Sequence, residues 1–349
     1  MRLLAVGADA REVWRRVLVA DPNAVASQTP EWLDCICVAS HYEDATRAYE
    51  AADGRRLILP LARARVLGVR AGVEGSMPWG WGTGGVVSAG GVLFAQDAAA
   101  IAADLSRRRA LRITVRPGVP CERAWATGVP NAVARTRHMV QTVDLAGGFD
   151  QVWKRFSGSV RRACAKAERS NLDVEWDDRG RLVGVFDSLY RKSVVRWAEH
   201  QLGGVRVAQL RARLREPRRK YEMVAERMGP ACRIWVAWRS GEPAAAILVL
   251  AHGDHSTYWR GAMDREVEAG TRANDLLHRL AIEDACRAGR RYYHMGESAP
   301  SSSLARFKGG FGAVEQHYTG YRFERLPLTA AGRYVRRRAA MIDPRMRAT

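Results

Sequence analysis

The chain has 349 residues, 56 Lys and Arg against 37 Asp and Glu (net charge +19), 47% hydrophobic residues and 11 Trp. That length suits two ordinary domains or one large one, and this apolar content excludes a disordered chain. No run reaches the length of a membrane-spanning helix, and Asp9, Arg11 and Glu12 interrupt the N-terminal stretch too early for a secretory signal.

The six cysteines, Cys35, Cys37, Cys121, Cys164, Cys232 and Cys286, form no CxxC pair. They read as reduced, mostly buried thiols in a cytoplasmic protein with no stable membrane insertion and no metal site. The basic excess points to a polyanionic partner. An arginine-biased composition explains many of the arginines, but not the deficit of acids.

In chain order, 11–20 has helical spacing and 21–23 (DPN) breaks it. In 27–40, Thr29 is placed to cap a helix that begins at Pro30 and buries Trp32, Leu33 and Ile36. Residues 47–67 read as a strand pair turning at Asp53-Gly54. The segment 75–91 is a glycine and tryptophan loop. Its Gly80, Gly82 and Gly85 satisfy GxGxxG, but no helix follows directly, so a dinucleotide site is rejected. Trp79 and Trp81 are either presented to a cleft or used as core fillers. A helix at 97–110, a strand at 111–118, and a strand with a Gly-Gly turn within 138–153 complete this half. The domain boundary is placed at 140/141, with a basic tail over 326–349.

The next helix, read over 156–176, buries Phe156, Val160, Ala163, Cys164 and Ala167. Arg155, Arg162, Lys166 and Arg169 recur at spacings of seven, four and three, which aligns them as a phosphate-facing surface or an ordinary solvated face. Helices at 186–201 and 207–228 follow, the second interrupted by Pro217. Residues 231–264 read as a three-stranded meander turning at Gly241-Glu242 and Gly253-Asp254, where His252, Asp254 and His255 are turn residues rather than metal ligands. A helix at 269–289 and a strand at 290–296 lead into 291–312, RYYHMGESAPSSSLARFKGGFG. There Arg306, Phe307 and Lys308 stand among Gly309, Gly310 and Gly312, a setting that suits an anion or a developing negative charge, or else a solvated lysine in a turn.

The order meander, helix, strand, together with 160–175 (VRRACAKAERSNLDVE), 258–264 (YWRGAMD), 270–289, 292–298 (YYHMGES) and 304–313 (LARFKGGFGA), resembles the FemAB-like transferases of the GNAT superfamily. The segments SQTPEWL (27–33) and PWGWGTGG sit where the first domain of that family has comparable ones. The resemblance implies a mixed α/β fold of two tandem GNAT-like domains, 1–140 and 141–325, with a cleft between them. The long coiled-coil arm of some members is absent, because 207–228 is short and carries a proline.

It also implies an acyltransferase that lets an amine attack an activated ester, with aminoacyl-tRNA as co-substrate and an amine-bearing peptide or small molecule as acceptor. Carried over by position, Phe307 helps hold the donor and Lys308 stabilises the oxyanion. Glu297 is the candidate base, Trp79, Trp81, Trp259 and Arg260 are candidate substrate contacts, and Arg155, Arg162, Lys166, Arg169 and Arg306 are candidate tRNA contacts. No Ser/His/Asp order or reactive-cysteine setting supports a covalent intermediate. The alternative donor is acetyl-CoA, disfavoured because the loop at 265–273 lacks the diphosphate-binding register and carries Glu266 and Glu268. A third reading is a non-catalytic nucleic-acid binder.

Overall fold

The computed structural model describes residues 1–66, 69–78, 80–130, 133–198, 204–326 and 329. The basic tail expected over 326–349 lies outside the described residues, apart from Leu326 and Thr329. The N-terminal half supplies β1 (Arg2–Val6), β2 (Tyr42–Asp44), β3 (Arg47–Glu50), β4 (Arg56–Leu59), β5 (Ala62–Val66), β6 (Val69–Gly75), β7 (Val87–Ser88) and β8 (Arg112–Val115). After these come β9 (Ala134–Asp144), β10 (Leu172–Asp177), β11 (Cys232–Arg239), β12 (Glu242–His252), β13 (His255–Met263), β14 (Tyr292–Glu297) and β15 (Val314–Glu324).

Local chemistry sets most boundaries. The Thr29 hydroxyl accepts from the Trp32 amide at 3.2 Å, and Pro30 opens the helix Pro30–Ala39 as its spacing predicts. Pro217 separates the helices Gly204–Arg215 and Arg218–Met228. The meander forms as expected, with β11, β12 and β13 pairing antiparallel. The helix expected over 156–176 is shorter. Ser157 caps a helix Gly158–Glu168, Asn171 turns at φ +47°, and the remaining residues become β10 against β11. A left-handed residue cannot continue a right-handed helix, so the strand begins there.

Among the described residues, eleven strands share one sheet in the order β10-β11-β12-β13-β14-β9-β15-β8-β6-β5-β2. A second sheet runs β1-β3-β4-β7. The sequence position 140/141 falls inside β9, which pairs with β14 on one side and β15 on the other. The last strand returns to the first half, because β15 also pairs antiparallel with β8. Among the described residues each half contains one parallel pair, β6 with β8 and β13 with β14. One core cluster is common to both halves, with Trp14, Trp32 and Trp81 from the first and Phe186, Tyr221 and Trp259 from the second.

The glycine loop between β6 and β7 is held close to the chain after β8. Gly85 has φ +102°, and a Cβ there would lie 2.5 Å from the Pro117 carbonyl oxygen. Gly85→Ala is expected to lower unfolding stability by about 1–3 kcal/mol through backbone strain and this clash. Urea unfolding measures it, and an unchanged midpoint would mean that the loop relaxes freely.

Candidate active-site cleft

A cavity of about 1950 Å³ lies over the central strands, with alternate residues of β9 and β15, among them His138, Thr142 and Tyr318, facing it. The loop 75–85 of the first half and β13, β14 and the helix Ser303–Gly309 of the second complete its walls. That last helix differs from the glycine turn expected around Lys308. The Ser302 hydroxyl accepts from the Ala305 amide at 3.1 Å and starts the helix, and Gly310 caps its end. Phe307 and Lys308 thereby face the cavity, while Arg306 stays exposed and donates to the Ser301 carbonyl at 3.0 Å.

Lys308 is 2% exposed, and its Nζ donates to the Glu297 carbonyl oxygen at 2.7 Å. This is its one protein acceptor among the described residues, so two N–H bonds remain for a ligand. Burial pushes its pKa down to about 8. Phe307 packs edge-on against Phe311, with ring centres 5.2 Å apart, and meets the His278 ring at 5.5 Å.

Glu297 ends β14 beside this lysine. Its Oε1 accepts from both Arg116 Nη2 and the Tyr318 hydroxyl, while Oε2 lies 3.6 Å from His138 Nδ1. Arg116 also donates to Tyr318 Oη at 3.2 Å and to the Gly82 carbonyl at 3.3 Å. One carboxylate thus ties the glycine loop of the first half to the strand that holds Lys308. Arg116 and Tyr318 were not singled out from the sequence, since neither lies in a motif.

Trp79 lies outside the described residues. Trp81 and Trp259 border the cavity but are 2% and 7% exposed. They stack at 6.0 Å and meet Trp32 edge-on at 5.4 and 5.0 Å, so packing accounts for both. Arg260 contacts protein too, donating to Glu216 Oε1 at 3.0 Å and to the Gly80 carbonyl at 2.5 Å.

The four cations read as one stripe divide between two helices. Arg155 ends the helix Gly148–Arg155 and donates to the Asp144 carbonyl, while Arg162, Lys166 and Arg169 follow the break at Phe156-Ser157. All four are exposed, and none lines the cavity. At the loop compared with a diphosphate cradle, Arg272 has φ +60° between the helices Arg265–Thr271 and Ala273–Arg287. Glu268 and Asp275 line the cavity there. Asp275 is 1% exposed, and burial raises its pKa to about 6 despite Arg272 at 2.9 Å.

His255 does more than turn the chain. Its Nε2 lies 2.8 Å from the Pro22 carbonyl and its Nδ1 2.9 Å from His294 Nε2, whose Nδ1 is 3.2 Å from Thr142 Oγ1. A carbonyl only accepts, so the protons run in one direction: Thr142 donates to His294, His294 to His255, and His255 to Pro22. Among the described residues, no group of three or more His, Cys, Asp or Glu could hold a metal.

Burial lowers His294 and His278 to about 3 and His138 to about 4. Between those values and the ordinary histidine pKa the unfolded chain binds more protons, so stability falls as pH drops from about 6.5 towards 4. Asp275, with its raised pKa, opposes this over part of the window. Urea unfolding at pH 7 and pH 4.5 is expected to show the loss, and equal stabilities would mean that the rings are hydrated.

Residues 154–308 match the family described as an acetyltransferase (GNAT) domain. No curated protein matches the chain. Among solved structures, FemX superposes with a TM-score of 0.62 at 12% identity, covering 93% of this chain and 97% of that one. A C-terminal domain named as a lysylphosphatidylglycerol synthetase, from Agrobacterium fabrum, gives 0.53 at 12% identity over 90% and 92% of the two chains. L-PGS from Bacillus licheniformis gives 0.51 at 13% identity over 91% and 94%. Residues 154–308 therefore match an acetyltransferase (GNAT) domain, and the chain as a whole has a fold similar to that of FemX.

Proposed function

We propose that the chain is an aminoacyltransferase that takes an aminoacyl group from aminoacyl-tRNA and forms an amide on an amine-bearing peptide or small molecule. The observation that carries this is Lys308, buried on the cavity wall with one backbone acceptor and two N–H bonds to spare. The acceptor nitrogen attacks the ester carbonyl, the C–N bond forms, and the carbonyl oxygen becomes an oxyanion to which Lys308 donates. Collapse breaks the C–O bond, and the terminal hydroxyl of the tRNA leaves with a proton. An ester is activated already, so positioning and oxyanion stabilisation are the main demands on the protein.

Phe307 packs beside the lysine at the donor end of the cleft. Glu297 positions Lys308 through its carbonyl. It could take the proton of the amine only through Oε2, because Oε1 is occupied by Arg116 and Tyr318. The exposed Arg162, Lys166, Arg169, Arg155 and Arg306 supply phosphate contacts outside the cavity. Coenzyme A fits poorly, because Glu268 and the buried Asp275 stand where its diphosphate would meet the helix start.

Filter binding of charged tRNA and of acetyl-CoA, each across a salt series, tests the donor. Tight tRNA binding that weakens steeply with salt, without CoA affinity, is expected. Saturable CoA binding beside feeble tRNA association would replace this reading with an acyl-CoA transferase. tRNA binding without transfer to any amine would leave a binding protein.

A further inference from the structure

The helix Gly204–Arg215 turns apolar residues toward solvent. Val207, Leu210 and Leu214 are 40%, 59% and 75% exposed. At 3.6 residues per turn they fall within an arc of about 60°. On the opposite side, Ala208, Gln209 and Ala212 are only half-buried and Glu216 is fully buried. The helix includes arginines at 206, 211, 213 and 215 and no acidic residue, and Arg218 and Arg219 are exposed at the start of the next helix. Arg206 and Arg213, both exposed, run along one edge of the apolar stripe.

The geometry points to this helix as a docking surface for an anionic phospholipid bilayer, with the stripe at the acyl boundary and the arginines at the phosphates. A solvent-side apolar stripe bordered by cations is the pattern of a helix that lies in the interface plane. Charge complementarity favours a surface of uniform negative sign, since the helix has no acid to meet a basic group on a protein partner. Nucleic acid supplies the negative charge but offers nothing to three apolar side chains. Among the described residues no helix is long and apolar enough to cross a membrane, so the contact is adsorption.

The test is cosedimentation of the full-length protein with phosphatidylcholine vesicles, with and without phosphatidylglycerol, beside the double variant Leu210→Ser, Leu214→Ser. These side chains are exposed and the variant keeps every charge, so folding and electrostatics are preserved, which a melting curve checks. Wild-type protein should sediment with the anionic vesicles only, and the double variant should bind them about tenfold more weakly.

Several results would overturn the proposal. They are no binding to anionic vesicles, equal binding by the variant, a variant that loses charged-tRNA binding instead, and a lipid-free dimer that the variant dissociates. Vesicle binding involves neither donor nor acceptor, so its outcome is independent of the transferase reading.

Discussion

Replacing Lys308 with alanine is expected to lower turnover by about 10²-fold or more while leaving donor affinity nearly unchanged. Lys308 is 2% exposed and its ammonium is anchored by the Glu297 carbonyl at 2.7 Å, so it is held in place before a negative charge develops. A group that acts mainly on the oxyanion contributes to kcat rather than to ground-state binding. A protein that merely binds polyanions would lose only a phosphate contact in this variant. Single-turnover transfer from charged tRNA separates the two, and turnover within about threefold of wild type would remove Lys308 from catalysis.

The same residue predicts a pH limb. Burial lowers its pKa to about 8, and the protonated form is the active one, so the rate should fall as pH rises through that value. Lys308→Arg keeps its charge to far higher pH and should abolish the limb even if it is slower. Glu297→Gln retains the anchoring carbonyl and removes the carboxylate, and unchanged turnover there would exclude Glu297 from proton transfer.

Much of the second half could be read from local signals. Pro217, the Gly241 and Gly253 turns and the alternating apolar residues of β11 to β13 act within a few residues of themselves, so chain order exposes them. The helix bearing Lys308 was missed because three glycines dominated the reading, although Ser302 just ahead of it is a cap by type. The placement of β15 between β9 and β8 leaves no local trace. It depends on pairing with Arg112–Val115, some two hundred residues earlier in the chain. The Arg116–Glu297–Tyr318 junction is invisible for the same reason, because its members come from three distant segments. Glu216 and Lys220 were visible only as an i, i+4 pair, a spacing that is usually solvated. Their burial is set by the Gly80 loop, which lies far away in sequence.

That burial makes Glu216→Ala the most damaging stability change expected in the fold. Glu216 is 3% exposed, Oε2 accepting from Lys220 at 2.8 Å and Tyr221 at 3.1 Å, and Oε1 from Arg260 at 3.0 Å. Lys220 is 1% exposed, its Nζ 4.3 Å from the Trp81 ring centre, and burial already lowers its pKa to about 8. Without the carboxylate, two cations would share one site with only the Gly80 carbonyl between them. Breaking a buried pair by removing one partner costs about 3–5 kcal/mol, because the surviving charge is left unpaired in a poorly solvated place.

Urea unfolding should show a loss of that size, and less than about 1 kcal/mol would mean that water reaches the site. Adding Lys220→Met to Glu216→Ala should recover part of the loss, since the remaining Arg260 side chain is less buried than Lys220 and borders the cavity. Recovery would locate the cost in the stranded lysine. No recovery would locate it in the Gly80 loop, whose carbonyl both cations hold against the second half of the chain.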